Sequence, residues 1–234
     1  MTGIKSVLII LCLLAPLPSW AGDLIGKVIS LSGEVTVRND KAQRYEATIG
    51  MPVETGQMVK TGASGKVEIL LADGATFRIA ANSSFIIDDF LISGDEKRSM
   101  TARMLKGAMQ YLSTPASFKH DDRKIYLANA VGAVRGTNFI AFVGPRIEAV
   151  LISGKVEIGL RSNRVTLDRR GHTVFLSRTG VFDNAFVVPD AELVRLGDRL
   201  GLRIKLPPPP KDDEGALGIG PFPCTLSGGY LYCG

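Results

Sequence analysis

The residues able to do chemistry in concert fall in four places. His120-Asp121-Asp122 puts a nitrogen beside two carboxylates, the beginning of a metal ligand set or of an acid–base pair. Asp88-Asp89 supplies a second pair of carboxylates. Arg161, Arg164, Arg169 and Arg170 crowd two successive turns around Val165 to Leu167, where they would form a basic docking edge for an acidic partner or for lipid phosphates. Cys224 and Cys233 lie close together near the C-terminus.

Each place also has a plainer reading. Successive side chains on an extended chain point to opposite faces, and no second histidine lies near His120, so His120 to Asp122 reads as a solvated loop without metal. A hydrolase would need Asp88, Asp89, Asp121 or Asp122 to face one another in a cleft. The chain has only two histidines, and no nucleophile elbow, His-Glu-x-x-His or phosphate loop, so the expectation is a non-enzyme with no cofactor. The arginine-rich turns read equally as a solvated rim.

The cysteines can be taken further. Thr225-Leu226-Ser227 and Tyr230-Leu231-Tyr232 flank Gly228-Gly229, the composition of a tight hairpin turn. That turn pairs Ser227 with Tyr230 and, stepping outward, Cys224 with Cys233. The cysteines then occupy a non-hydrogen-bonded site, where a Cα separation of about 4.5 Å is at the short end of what a disulfide tolerates. A Cys224–Cys233 disulfide is therefore predicted as a staple. The spacing is not that of a CxxC redox or metal pair.

An oxidising compartment is implied by the N-terminus. Residues 1–21 read as a secretory signal peptide: Lys5, the apolar run Val7 to Leu14, Pro16 and Pro18, then Ser19-Trp20-Ala21 as a small-x-small cleavage site. The run is shorter than the roughly 20 residues of a membrane span. Cleavage after Ala21 would leave a periplasmic or secreted protein with no transmembrane span, lacking both Cys12 and the only tryptophan, Trp20. Without that tryptophan, a sugar-stacking platform would fall to Tyr45, Tyr111 or Tyr126. The net charge of +5 is interspersed with acids and gives no footprint for nucleic acid.

The positioning elements are short strands. Gly33 to Val37, Gly65 to Ile69, Gly107 to Tyr111 and Gly154 to Ile158 each open on glycine, marking a turn or bulge, and then alternate polar with apolar residues. Further strands are expected at Asp23 to Ser30, Ala75 to Ala80, Phe85 to Ile87, Ile125 to Leu127, Phe139 to Val143, Glu148 to Leu151, Val165 to Leu167 and Thr173 to Leu176. The fold class is all-β, either an antiparallel sandwich or a short strand-wound solenoid. A helical reading is allowed between Glu96 and Leu105. A better helix follows Pro189, with Asp190 as its cap and Leu193, Leu196 and Leu200 on one face docked against the sheet, ending at Gly201. The domain plan is 22–188 for the β domain, 189–206 for the docking helix, 207–223 for a Pro-rich linker and 224–234 for the stapled hairpin.

In order along the chain, these segments resemble the FecR domain family over about Gly26 to Leu176. Gly33-Glu34-Val35-Thr36-Val37 looks like the family's first hairpin. Gly56-Gln57-Met58-Val59-Lys60-Thr61-Gly62 is similar to its "G-D-x-(apolar)-x-T-G", with Gln57 where Asp is usual. Ala72-Asp73-Gly74-Ala75-Thr76 resembles its "D-G-S" turn, and Val134-Arg135-Gly136-Thr137-Asn138-Phe139 its "V-R-G-T-x-F". Leu151 to Val156 stands at "(apolar)-x-x-G-x-V", and Gly171-His172 at a Gly-Gln or Gly-Glu turn. Asn129-Ala130 departs from the usual Thr-Pro.

The resemblance implies a mostly structural role for Thr61, Gly62, Asp73, Gly74, Arg135, Gly136, Thr137, Phe139 and Gly154. At the Arg-Gly-Thr, a positive φ at Gly136 would let the Thr137 hydroxyl and the Arg135 guanidinium meet backbone carbonyls. Regulator-type relatives hold a cytoplasmic anti-sigma segment and one membrane span ahead of a periplasmic sensing domain. Of these, only the exported domain is expected here. The expected function is a periplasmic protein-interaction or sensory module, the partner being another envelope protein. The alternative is a module binding an envelope glycan, such as lipopolysaccharide or another surface polysaccharide.

Overall fold

The computed structural model describes residues 24–113, 118–177, 179, 181–183, 185–202, 204 and 206, and the backbone of two terminal strands, 224–227 and 230–233. The expected signal peptide with its cleavage site, the Pro-rich linker and the Gly228-Gly229 turn lie outside them.

The chain opens with β1 (Leu24–Ser32), β2 (Val35–Arg38), β3 (Arg44–Glu46), β4 (Pro52–Glu54), β5 (Met58–Thr61), β6 (Lys66–Leu71), β7 (Thr76–Ile79) and β8 (Ser84–Ser93). Long strands follow: β9 (Lys97–Leu112), β10 (His120–Leu127), β11 (Ala130–Val143) and β12 (Arg146–Leu160). Then come β13 (Asn163–Leu167), β14 (His172–Ser177), β15 (Phe186–Val187), the helix α1 (Asp190–Leu200), and the hairpin β16 (Cys224–Ser227) and β17 (Tyr230–Cys233). All strands but the last two join one open, mixed, mostly antiparallel sheet curled around a single core. The body is thus all-β with one short helix among the described residues, as expected.

The long strands explain how one sheet encloses that core. In β9 the side chains that join the core are Met100, Ala102 and Met104 before Gly107, then Met109 and Tyr111 after it. Side chains alternate with period two, so the inward positions have passed from even to odd numbers. One extra residue at a bulge produces such a switch, and Gly107 stands there with φ of +93°. The same switch occurs in β11 at Gly136, between Val134 and Phe139, and in β12 at Gly154, between Leu151 and Val156. Beyond the bend β9 changes both partners, while β11 and β12 stay paired with each other and change the partner on the other edge. The first half of β9 pairs with β8 and β10, and its second half with β7 and β11. Segments that read as separate strands in sequence, such as Glu148 to Leu151 and Gly154 to Ile158, are halves of one bent strand.

Two expectations are corrected here. Glu96 to Leu105 is not helical. Apart from Glu96 in the turn it lies in β9, where Arg98, Met100, Ala102 and Met104 are buried at period two and β8 and β10 flank the backbone. His120 to Asp122 is not a loop. It opens β10, which runs parallel to β9 with Asp121 beside Arg98.

The helix after Pro189 forms. Its stripe Leu193, Leu196 and Leu200 covers Ile140, Val150 and Ile152 on the outer face of β11 and β12, and Gly201 closes it at φ of +64°. Asp190 does not cap it. The N-cap is Pro189, which has no side-chain donor or acceptor, and Asp190 is already the first helical residue. Its carboxylate accepts a hydrogen bond from Arg170 at 3.1 Å.

Candidate functional site

The Arg-Gly-Thr segment forms a tight lock between β11 and β12. Gly136 takes φ of +59°. The Thr137 hydroxyl accepts from the backbone N–H of Arg135 at 3.0 Å and donates to the Lys155 carbonyl at 2.6 Å. Opposite, Gly154 has φ of +86°, and a Cβ there would lie 2.1 Å from the Gly136 carbonyl oxygen. The two strands can approach so closely only without a side chain at 154. Phe139 follows in the core. The guanidinium departs from expectation: Arg135 is exposed, and only its backbone enters the lock.

The other motif residues hold turns. Thr61 is buried; its hydroxyl donates to the Ala80 carbonyl at 2.7 Å and accepts from the Ser83 N–H at 2.9 Å. The backbone N–H of Gly62 donates to the Glu34 carbonyl. Asp73 accepts from the Ala75 N–H at 3.0 Å, with Gly74 between them at φ of +81°.

Asp73 also belongs to a cluster that the sequence reading missed. Arg98 and Arg123 are each only 1% exposed. Arg98 donates to Asp121 at 3.2 and 2.7 Å and to Asp73 at 3.1 Å. Arg123 donates to both Asp121 oxygens, at 2.7 and 2.8 Å, and to the Tyr111 hydroxyl at 2.6 Å. Phe118 stacks on the Arg98 guanidinium at 4.5 Å. Two cations meet two anions, and this balance makes burial of four charges tolerable.

Burial pushes the Asp121 carboxyl up, but hydrogen bonds and charge from Arg98 and Arg123 outweigh it and hold the group below the usual carboxylate range. Burial raises the Tyr111 phenol to about 12 despite Arg123, so it stays neutral and accepts. The legible signal was Asp121-x-Arg123, a charge pair at strand period with an apolar residue at 125 to continue it.

Two of the other candidate carboxylates are engaged, while Asp89 lies exposed on β8. Asp88 binds Arg103 at 2.5 and 2.6 Å across β8 and β9, and Asp122 binds Lys124 at 2.9 Å. Among the described residues no three His, Cys, Asp or Glu side chains could share a metal ion.

The four arginines string out along β13 rather than converge. Arg161 stands exposed at the β12–β13 turn with φ of +57°. Arg164 binds Glu157 at 2.5 Å, Arg169 approaches Asp168 at 3.9 Å, and Arg170 ties the β13–β14 turn to α1 through Asp190. Beside them, burial and the Arg169 charge lower the His172 pKa against the pull of Asp168. The Cys224–Cys233 and Ser227–Tyr230 registers are as expected, with β16 antiparallel to β17.

A groove of about 290 Å³ lies where the end of α1 meets the outer face of β1, β6 and β7, lined by Ser30, Ser32, Lys66, Glu68, Arg78 and Gly201 among others. Arg78 is bound to Glu68 at 3.2 Å and to Gln110 at 3.3 Å, and Gln110 in turn to Asn138 at 3.0 Å. This polar ladder across four strands is knitted into the sheet. No helix among the described residues is long and apolar enough to cross a membrane.

Residues 57–157 match the family model described as FecR protein. That span encloses the Thr61 turn, the buried ionic cluster and the Gly136–Gly154 lock. No curated protein matches the sequence. Among solved structures, one described as a "putative anti-sigma factor" from Parabacteroides distasonis aligns with TM-score 0.50 at 12% identity. The alignment covers 59% of this chain and 63% of that one, under two thirds of its length. A second structure of the same description gives 0.49 at 12% identity over 58% and 62%. A "Cell surface anchoring domain" is 36% identical over 27% of this chain and 83% of its own, with TM-score 0.26. At such identity and overlap, the first alignment speaks to fold alone.

Proposed function

Since the chain carries a FecR domain, we propose that it is a non-enzymatic signalling module of the bacterial envelope, exported by its leader, that works by binding another envelope protein. The match over 57–157 carries this reading. Chemistry argues the same way. The buried charges are spent on one another, and the Arg-Gly-Thr motif is spent on joining strands. What is left for recognition is the surface: strand edges, and the basic turns around β13, where Arg161 stands exposed.

Affinity capture from envelope extracts tests it, with the purified protein as bait. A specific protein should be recovered, and Arg161→Glu with Arg164→Glu should weaken recovery if the basic edge takes part. Capture of no specific protein, together with co-sedimentation on purified cell wall or lipopolysaccharide at moderate salt, would replace this reading with glycan binding.

A further inference from the structure

Strand β8 leaves the sheet partway along its length. β5 pairs with it only at Ser84, Phe85 and Ile86, and the Gly56 N–H reaches the Ile87 carbonyl at 2.8 Å. After a register shift at Asp88, it pairs from Asp89 to Ser93 with β9 alone, and among the described residues no strand covers its outer edge. Alternate N–H and C=O groups there face water, a template for another strand.

Four other edges are defended. β4 is three residues long and begins with Pro52, β15 has two residues, and β3 is three residues with Arg44 and Glu46 at its ends. β13 is rimmed by Arg161, Arg164 and Arg169. The β8 edge has no proline, no lysine, and no charge between Asp89 and Asp95. It shows Leu91 at 42% and Ile92 at 37% exposure, beside a half-buried Phe90 that packs against the core.

We propose that this edge joins a second copy of the chain, β8 against β8 in antiparallel register about a two-fold axis at Leu91. Charge selects the register. An axis at Phe90 would seat Asp89 against Leu91 of the other copy, and an axis at Ile92 would set Asp89 against its Asp95. With the axis at Leu91, Leu91 meets Leu91, Phe90 meets Ile92 on the core-facing side, and Asp89 meets the Ser93 hydroxyl, which can donate to it. Asp88 is already bound to Arg103. The contact is isologous, so it closes on a dimer rather than growing into a fibre. It is independent of which envelope protein the domain binds.

Sedimentation velocity of the purified protein over a dilution series should show a reversible monomer–dimer equilibrium. Leu91→Lys, which sets two ammonium groups face to face, should leave monomer throughout the range, with the melting temperature of the parent at monomeric dilution. Ile49→Lys, at another exposed apolar position, should dimerise like the parent. As a second measurement, Leu91→Cys should cross-link to itself on mild oxidation beyond the parent's background. Asp89→Cys and Ser93→Cys should cross-link when mixed and not alone. A parent that stays monomeric at every concentration, a dimer that survives Leu91→Lys, or a Leu91→Cys variant that does not cross-link would overturn the proposal.

Discussion

Arg98 on β9 and Asp121 on β10 sit side by side across a parallel strand pair, joined by two hydrogen bonds, with both side chains almost wholly buried. Asp121 also takes two hydrogen bonds from Arg123 and so serves as the shared anion of two buried cations. Asp121→Asn keeps the shape and removes the charge. The expected loss is about 3–5 kcal/mol, the cost of leaving buried charge uncompensated. Urea denaturation at neutral pH measures it.

The same carboxylate sets an acid limit. Its folded pKa lies below the ordinary value of 3.8, so at low pH the unfolded chain binds its proton first. The stability it contributes is complete above that value and declines as pH falls below 3.8 through the folded pKa. Comparing the parent with Asp121→Asn between about pH 5 and pH 2 should show a shallower decline in the variant. Parallel curves would mean that other groups govern acid unfolding.

Tyr111 sets the alkaline counterpart. Its folded pKa of about 12 exceeds the ordinary phenol value of 10.0, so the neutral phenol is favoured in the native state. Its contribution is full below about pH 10 and is lost as pH rises through the folded value. Ultraviolet titration should find one phenol that ionises late and, on unfolding, joins the rest. Tyr111→Phe should remove that late step and cost about 1–3 kcal/mol, since it takes an acceptor from buried Arg123.

The contrast between what sequence reveals and what it hides follows from range. Gly107, Gly136 and Gly154 announce bends because their φ is a local requirement, and the stripe of Leu193, Leu196 and Leu200 is local periodicity. The cluster of Arg98, Asp121, Arg123 and Asp73 unites four residues from three separate segments. Locally, Asp121 between His120 and Asp122 looks solvated, and only parallel pairing with β9 puts Arg98 beside it. Charged residues at strand period make a tertiary pair resemble a surface. Between Glu96 and Leu105 the local sequence allows a helix, although Ser99 and Thr101 count against one, and long-range pairing with β8 and β10 imposes a strand.

The lock between β11 and β12 gives a backbone test. Gly154→Ala brings a Cβ to 2.1 Å from the Gly136 carbonyl oxygen at a φ that L-residues rarely adopt. Clash and conformation add, so the loss should exceed the roughly 1 kcal/mol of an ordinary incompatible glycine replacement. Thr137→Val, which deletes the 2.6 Å bond to Lys155, should cost about 1–3 kcal/mol through the orphaned partners. Thermal melting ranks the two, and a Gly154→Ala melt equal to the parent's would disprove the close approach.

The terminal hairpin and the leader can be read in one sample. Cys224 is in register with Cys233, and an isolated two-stranded hairpin is marginal without a staple. A disulfide there closes a short loop and should contribute about 2–3 kcal/mol to the hairpin. Cys12 and Trp20 both precede the expected cleavage site, so export with cleavage after Ala21 removes one thiol and the only indole. Protein recovered from the periplasm and denatured without reductant should therefore show no free thiol and no tryptophan emission, and should gain two thiols on reduction. One thiol accompanied by tryptophan emission would mean that the leader is retained and the staple intact. Two thiols without emission would mean that the leader is removed and the cysteines stand unpaired.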